Sequence, residues 1–390
     1  MKVSGKTFAL GVFAVALLVV VSCSYLLEPS EENTETDIVG TWYLVSCESL
    51  DQSQRYNRTV DSKYNLTVND YADNMFTAEA QGVEFCGVMI GNTVVFEYRY
   101  GTIAWVRADG SMVNGMLVMY ETHYYGENHW FVSISKYSKK DVKIKVTPSQ
   151  NPSVGTSWNL QDGQSNYYDD TEADFNNGYS LQGKRFFISG MWGNLFRAEI
   201  QQDVGGVITT RLMNGVFVSS FDDVKIAFLI DTSGKMWTLT IQNDLAVLRA
   251  ILMSDSLNKM VVTQRTYFDG IPPAVPDAPD MTGEWISDGY TGREGNGSEI
   301  SDATEVKMEY LWQNEYVFTG VTHVSNLPEA GYAIYDPNAY NGWLIRIGTD
   351  ISGDFKEGYV FLDDDDTMTL IEFNYASGKN SVRFYSFSRS

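Results

Sequence analysis

The chain has 390 residues, of which 50 are acidic and 28 are basic, and its formal net charge is −22. This charge argues against nucleic acid and anionic lipid headgroups as partners, because phosphate recognition needs clustered lysine and arginine. The length exceeds one ordinary core of about 100 to 150 residues, so several domains are expected. The 24 tyrosines, 20 phenylalanines and 9 tryptophans favour β-sheet over helix.

The first 22 residues have the pattern of a signal peptide. Lys2 and Lys6 give a positive start, and an apolar run from Phe8 to Val21 leads to Cys23. The run is shorter than the roughly 20 residues that a membrane-spanning helix needs. The segment resembles a prokaryotic lipoprotein signal. That resemblance implies a lipid such as palmitate on Cys23, which anchors the protein to the membrane of the cell envelope, facing the periplasm or the cell surface.

The rest of the chain divides at its prolines. Residues 23–37 are acidic and lack an apolar pattern, which predicts a disordered tether. Prolines cluster again at 148–152 and 272–279, and proline stiffens the chain and removes a backbone donor. We therefore predict three folded domains, at residues 38–146, 154–268 and 281–390.

These three segments look like divergent copies of one unit. Each opens with a glycine shortly before a tryptophan, continues to an aromatic strand, and ends with a hairpin that has an asparagine near its turn. The markers are Gly40, Trp42, Phe76 and Asn128 in the first copy, Gly155, Trp158, Phe196 and Asn258 in the second, and Gly283, Trp285, Phe318 and Asn380 in the third. The matching order and spacing indicate an internal repeat.

Strand patterns recur within each copy. Apolar and polar residues alternate with period two, for example from Thr93 to Tyr100. Asp109-Gly110, Asn214-Gly215 and Ser233-Gly234 are interpreted as hairpin turns. About eight short strands per copy follow, and closure of eight strands removes the exposed edges of a sheet. The predicted fold is all-β, with three tandem small antiparallel up-and-down β-barrels.

The opening Gly-x-Trp strand and the meander after it resemble the calycin superfamily, especially the lipocalin-like domains of exported bacterial lipoproteins. Gly40-Thr41-Trp42 and Gly283-Glu284-Trp285 match that start, whereas Gly155 and Trp158 are separated by one residue more. The resemblance implies that these three tryptophans close the barrel floor and are structural. It also implies an interior that holds a small apolar ligand or is filled by side chains, and short aromatic-rich copies favour a filled interior.

No motif for catalysis stands out. The chain has 3 histidines, few candidates for a general base, and it lacks a Gly-x-Ser-x-Gly elbow. Cys47 and Cys86 are candidates for a disulfide in an oxidising compartment, and the alternative is a pair of buried thiols. We expect no enzyme activity and no cofactor, although a hydrolase that uses carboxylates is a third, less favoured reading.

Two acidic clusters offer oxygen ligands for calcium but lack the order of an EF-hand loop, so no metal site is predicted. Their candidate ligands are Asp169, Asp170, Asp174, Asp363 and Asp365. Aromatic residues at or near predicted loops are candidates for contact with a sugar or a protein, with capping of barrel ends as the alternative. They are Tyr124, Tyr125, Trp130, Tyr167, Tyr168, Trp192, Tyr335, Tyr340 and Trp343.

These features together favour a membrane-anchored, non-enzymatic binding or adhesion module for a glycan, peptide or protein. Tandem copies on a tether favour such a role, because each linked site raises the effective concentration of the next. A carrier of a small apolar ligand, of lipocalin type, is the alternative.

Overall fold

All secondary structure that can be described in this protein is β-strand. The computed structural model describes residues 38–59, 65–101, 104–126, 129–140, 157–169, 174–177, 185–204, 206–221, 224–242, 245–254, 259–268, 281, 283–312, 316–321, 328–335, 344–350 and 355–390. The signal, the tether and Cys23 lie outside these residues. Within them, no helix is long and apolar enough to cross a membrane.

The first sheet is a closed antiparallel barrel. Its strands are β1 (Gly40–Asp51), β2 (Tyr56–Thr59), β3 (Asn65–Ala72), β4 (Met75–Ala80), β5 (Val83–Ile90), β6 (Thr93–Tyr100), β7 (Ala104–Val113), β8 (Met116–Tyr124) and β9 (Trp130–Ser138). From β3 to β9 each strand pairs with the next, and β1 pairs with both β3 and β9. Eight strands thus close the barrel, and the short β2 pairs with the second half of β1.

The second sheet repeats this order. Its strands are β10 (Ser157–Asp169), β11 (Asp174–Asn177), β12 (Arg185–Trp192), β13 (Leu195–Val204), β14 (Val207–Phe221), β15 (Val224–Asp231), β16 (Met236–Gln242), β17 (Leu245–Ser254) and β18 (Lys259–Phe268). Strand β10 takes the place of β1, since it pairs with the short β11, with β12 and with β18.

The third sheet has the same meander with its first strand divided. Its strands are β19 (Gly283–Ser287), β20 (Tyr290–Glu294), β21 (Glu299–Asp302), β22 (Val306–Trp312), β23 (Tyr316–Val321), β24 (Pro328–Tyr335), β25 (Leu344–Asp350), β26 (Phe355–Leu362), β27 (Thr367–Ala376) and β28 (Lys379–Arg389). Both β19 and β20 pair with β28, and β19 also pairs with β22. The protein is therefore all-β.

The strand register shows a further similarity among the three sheets, in addition to the sequence markers. Phe76 lies opposite Gly87, Phe196 opposite Gly215, and Phe318 opposite Gly331. A Cβ atom on Gly87 would lie 2.0 Å from the Phe76 ring, and one on Gly215 would lie 2.2 Å from the Phe196 ring. Glycine is required at these two positions because the facing ring occupies the space of a side chain.

Two of the predicted hairpin turns are wrong. Asp109-Gly110 lies within β7 and Asn214-Gly215 within β14, whereas Ser233-Gly234 does form the turn between β15 and β16. A Cβ atom on Gly110 would come within 2.1 Å of the Val118 carbonyl oxygen on the neighbouring strand. These glycines allow strands or rings to approach closely, which is the other common reason for glycine inside a strand.

The three sheets pack on one another, and residues 38–390 form one compact unit. A cluster of buried side chains at their junction draws on all three sheets. It contains Met75, Cys86, Val88 and Val95 from the first sheet, Ile226 and Phe228 from the second, and Ile334, Tyr359, Ile371, Phe373 and Val382 from the third. Burial of apolar side chains contributes about 1.5 to 3 kcal/mol each, so this junction is a hydrophobic core in its own right. The predicted domain boundaries stay a prediction.

Candidate functional site

The interior of the first barrel is filled by its own side chains. Phe76, Phe85 and Phe96 pack there with smaller apolar residues around Trp42, which is fully buried. The Trp42 Nε1 donates to the carbonyl oxygen of Ile38 at 2.7 Å. In the third sheet, the buried Trp285 donates in the same way to Met281, at 3.0 Å. The side chain of Trp158 lies outside the part of the chain whose side chains are described.

A polar cluster occupies the other part of the same interior. The Glu121 carboxylate is buried and accepts hydrogen bonds from the hydroxyls of Ser133, at 2.9 Å, and Ser135. His123 Nε2 lies 3.4 Å from the same carboxylate. Burial favours the protonated form of Glu121, but hydrogen bonds from His123 and the two serines outweigh it and lower the pKa of this carboxyl.

This cluster is not arranged for nucleophilic catalysis. His123 Nε2 lies 3.1 Å from the Ser133 hydroxyl, but that hydroxyl donates to Glu121, and one histidine nitrogen faces both groups. In a catalytic triad the base and the orienting carboxylate use different ring nitrogens. Ser133 is also fully buried. The cluster is therefore best explained as a satisfied polar network in a packed interior.

A cleft of 610 Å³ lies between the first and third sheets. It is lined by Glu79, Gly82, Val83, Glu84, Arg99, Tyr100 and Gly101 from the first sheet, and by Glu294, Gly295, Asn296, Tyr375, Gly378, Lys379 and Asn380 from the third. Val83 and Tyr100 also pack against the interior of the first barrel, so the cleft adjoins that barrel's polar end. Strand ends and hairpin turns from both sheets supply its lining.

Asn380 holds the two walls of the cleft together. Its Nδ2 donates to the carbonyl oxygens of Glu84, at 3.0 Å, and Arg99, at 3.3 Å, and its Oδ1 accepts from the Arg99 amide at 2.7 Å. Its own carbonyl oxygen accepts from the Gly295 amide at 2.9 Å. A Cβ atom on Gly295 would lie 2.6 Å from the backbone of Glu84, so the two sheets meet here at backbone distance. Asn380 is buried, and its four hydrogen bonds, three from the side chain and one to the backbone carbonyl, fix the shape of the cleft.

A second contact fixes the two sheets close by. The guanidinium of Arg293 makes a bidentate pair with Asp70, at 2.8 and 2.6 Å. Hydrogen bonding to Arg293 lowers the pKa of the Asp70 carboxyl. Cys86 Sγ also donates to the carbonyl oxygen of Arg293 at 3.3 Å.

The charges of the cleft fall into two groups. Lys379 pairs with Glu294 at 2.6 Å, and Arg99 pairs with Glu97 at 3.6 Å. Glu79 and Glu84 are exposed and lie directly opposite each other on β4 and β5, without an ion pair to any described residue. Like charges in this position destabilise a sheet slightly. The cleft thus presents two unengaged carboxylates beside two neutralised cations and the rings of Tyr100 and Tyr375.

Three of the predicted ligand-contact aromatics instead pack between the first and second sheets. Trp130 is 2% exposed and belongs to a cluster with Leu195, Val216 and Ile230. Tyr124 and Trp192 pack against the same cluster. These residues do lie near strand ends, but the neighbouring sheet covers them. That contact cannot be predicted from one segment considered alone.

The remaining aromatic candidates have other positions. Tyr125 lies at the polar end of the first barrel, with its ring 5.7 Å from Tyr100 and 5.0 Å from His129. Tyr167, Tyr168 and Tyr335 lie on strands, and their own side chains are not among those described. Tyr340 and Trp343 lie outside the described residues altogether.

The candidate disulfide is not formed, and both cysteines are free. Cys86 points into the junction of the three sheets, whereas Cys47 lies near Glu121, Ser133 and Ser135 in the barrel interior. The two thiols therefore lie on opposite faces of the first sheet. Burial is the main cause that raises the pKa of Cys47 to about 11 and that of Cys86 to about 12. Neither is a ready nucleophile.

The acidic clusters hold no recognisable metal geometry where they can be described. Asp363 and Asp365 lie on an exposed turn between β26 and β27, and Asp363 accepts from the Thr369 hydroxyl at 2.9 Å. Asp169 and Asp174 are register partners on β10 and β11, with undescribed side chains, and Asp170 lies outside the described residues. No group of three His, Cys, Asp or Glu among the described residues is placed to bind a metal ion.

No known protein-family model and no curated protein matches this chain. Among solved structures, a protein of unknown function from the DUF3598 family of Nostoc punctiforme is 11% identical, with a TM-score of 0.23, over 60% of this chain and 95% of its own. Transferrin binding protein B of Neisseria meningitidis is 10% identical, with a TM-score of 0.19, over 85% and 66%. Its Haemophilus parasuis counterpart is 7% identical, with a TM-score of 0.22, over 90% and 75%. Identities and TM-scores this low support no inference about the function of this chain.

The sequence reasoning missed the cleft. In the sequence, Asn380 is only a marker of the closing hairpin, and its three hydrogen bonds to the first sheet depend on how two distant segments meet. Tyr100 and Tyr375 belong to strands rather than loops, so a position near a predicted loop does not distinguish them. The glycines of three hairpin turns are the sequence feature that relates to the cleft. Gly82, Gly101 and Gly378 all have positive φ, and all three line it.

Proposed function

We propose that this protein is an extracytoplasmic lipoprotein, anchored through lipid on Cys23, that acts as a non-enzymatic binding module for a glycan, peptide or protein. The pattern of residues 1–22 supports export and lipidation, and the acidic residues 23–37 suit a tether. We also propose that the three sheets are three tandem barrels. The pairings of β10 with β18 and of β19 with β28, which parallel that of β1 with β9, support this reading.

The cleft between the first and third sheets is the observation that carries the binding role. Its 610 Å³ falls within the range of about 300 to 1,000 Å³ that is common for ligand sites. It combines two tyrosine rings with carboxylates, cationic groups and amides, which is the composition of a recognition surface. The interior of the first barrel, by contrast, is occupied by its own rings, which weighs against the alternative of a small apolar-ligand carrier.

The non-enzymatic part of the proposal is supported by the state of the titratable groups. The polar network around Glu121 is buried and internally bonded, and the thiols of Cys47 and Cys86 have raised pKa values. These groups contribute to packing rather than to an accessible reacting centre.

The anchor is tested by expressing the full chain and its Cys23→Ser variant in a bacterium that lipidates exported proteins. We expect the wild-type chain to incorporate radiolabelled palmitate and to partition into the detergent phase. The Cys23→Ser variant should do neither. A Cys23→Ser chain that still carries label would overturn lipidation at this residue.

Binding is tested by incubating the full chain with arrays of oligosaccharides and peptides, followed by mass spectrometry of the bound material. Recovery of a cleaved ligand would contradict the non-enzymatic role.

A further inference from the structure

We propose that the cleft between the first and third sheets binds a neutral oligosaccharide, an inference that rests on the binding role proposed above and narrows it to one ligand class. The cleft offers acceptors on Glu79 and Glu84, donors on Lys379 and Asn296, and the rings of Tyr100 and Tyr375. A saccharide presents hydroxyls that donate and accept, together with apolar C–H faces. Its chemistry matches this mixed lining.

The charge of the lining disfavours an anion. An anion would meet the carboxylates of Glu79, Glu84 and Glu294, and the cations of the lining, Lys379 and Arg99, already pair with Glu294 and Glu97. Hydroxyl groups avoid this conflict. They donate to carboxylates in charge-assisted hydrogen bonds, which are about twice as strong as neutral ones.

Glu79 and Glu84 are the acceptors best placed for this role. They lie directly opposite on neighbouring strands, and their carboxylates form no ion pair with a described residue. Two adjacent carboxylates of this kind suit a pair of neighbouring hydroxyls. The hydroxyls of a bound sugar would therefore replace water as the hydrogen-bond donors to this like-charged pair.

The two tyrosines supply the apolar half of the recognition. Tyr100 and Tyr375 are both partly exposed and both line the cleft, one on each wall; one side of Tyr100 also packs against Tyr98 and Tyr125 at the end of the barrel interior. Aromatic rings contribute large contact area with little loss of side-chain entropy. Their faces suit the C–H faces of a pyranose ring.

A peptide bound as an added strand does not fit this cleft. On the first-sheet wall, β5 and β6 do not pair with each other over residues 83–86 and 97–100, but the Asn380 side chain fills this gap. It bonds to the carbonyl oxygens of Glu84 and Arg99 and to the Arg99 amide. Strand addition needs backbone groups that are free to pair, so recognition here uses side chains.

The site is also preformed. The bonds of Asn380 and the approach of Gly295 to Glu84 fix the two walls before any ligand arrives. Preorganisation of this kind reduces the entropy lost on binding.

The test uses the full lipidated chain in detergent micelles and an array of neutral hexose and N-acetylhexosamine oligosaccharides. The best-bound array member is then titrated calorimetrically against Tyr375→Ala, Tyr375→Phe and Glu84→Gln. We expect Tyr375→Ala to weaken binding about tenfold and Glu84→Gln about five- to tenfold, while Tyr375→Phe keeps the ring and most of the affinity. Tyr43→Ala and Glu305→Gln, outside the cleft, serve as matched controls, and thermal unfolding checks that every variant is folded.

Salt separates an uncharged ligand from a charged one. Between about 0.05 M and about 0.5 M sodium chloride we expect less than about a twofold change in affinity for the oligosaccharide. A lysine-rich peptide bound in its place, with affinity that falls steeply with salt and with Glu84→Gln, would overturn the saccharide class and leave the binding role standing. Oligosaccharide binding that no cleft variant changes would overturn this site alone. A chain that binds no oligosaccharide of the array would overturn the saccharide class, and the binding role would then rest on the peptide and protein partners proposed above.

Discussion

Arg107 is a buried side chain that links the three sheets at their junction. It is 2% exposed and forms an ion pair with Asp109 on its own strand. Its Nη2 donates to the Tyr359 hydroxyl of the third sheet at 2.9 Å, and its guanidinium lies 3.2 Å from the ring centre of Phe228 in the second. Replacing it with methionine keeps much of the volume but removes the charge and all three interactions.

The expected cost of Arg107→Met follows from what is left behind. Asp109 is buried, and burial already raises the pKa of its carboxyl against the opposing effect of Arg107. Without that cation the carboxylate has no compensating charge beside it, and breaking a buried pair in this way costs about 3 to 5 kcal/mol. This is a large share of a typical stability of about 5 to 15 kcal/mol. The double variant Arg107→Met with Asp109→Asn removes both charges and should recover most of the loss.

Urea unfolding followed by tryptophan fluorescence measures these free energies for the full chain and each variant. Because Arg107 contacts all three sheets, hydrogen exchange in Arg107→Met should rise in β15 and β26 as well as in β7. A loss below about 1 kcal/mol in the single variant would refute the reasoning. A double variant as unstable as the sum of its single changes would also refute it, since the two charges would then be energetically independent.

Other predictions concern pH, packing and thiol chemistry. Burial raises the pKa of Glu97 above its ordinary 4.5, so the folded protein holds this proton more tightly and the free energy of unfolding falls as pH rises through and above 4.5. Glu97→Gln should flatten that fall in urea titrations from about pH 4 to pH 8, and an unchanged slope would contradict it. Gly87→Ala should cost about 1 to 3 kcal/mol in urea unfolding, because its Cβ would meet the Phe76 ring at 2.0 Å, and a neutral effect would show that the ring moves freely. With pKa values of about 11 and about 12, Cys47 and Cys86 should react with a thiol reagent at pH 8 only after denaturation, and rapid reaction in the native protein would count against their burial.

Local regularities predicted much of the fold. Period-two alternation located the strands, and the glycine-tryptophan openings located β1, β10 and β19 at the start of three meanders. These signals work because burial of one face of a strand constrains every second residue. The errors came from glycine. Gly110 and Gly215 follow Asp and Asn as in hairpin turns, yet they lie within strands, where a neighbouring carbonyl or ring leaves no room for a side chain.

The arrangement of the three copies could not be predicted in the same way. Trp130 and Trp192 have no local feature that distinguishes a ring beside a ligand from a ring beside another sheet. Cys47 and Cys86 are close enough in sequence to suggest a bond, but strand register places them on opposite faces. The cleft itself is made by residues such as Glu84 and Asn380. These two residues are 296 positions apart in the sequence and come together only through packing.

The junction also bears on what a truncated chain would expose. A product that stopped after the second sheet would keep Val88, Val95 and Phe228 but lose the side chains of the third sheet that pack with them. Exposed apolar surface of that kind promotes aggregation and proteolysis. A sheet joined to the others only by a linker could be removed without this exposure, but a sheet that shares their core cannot.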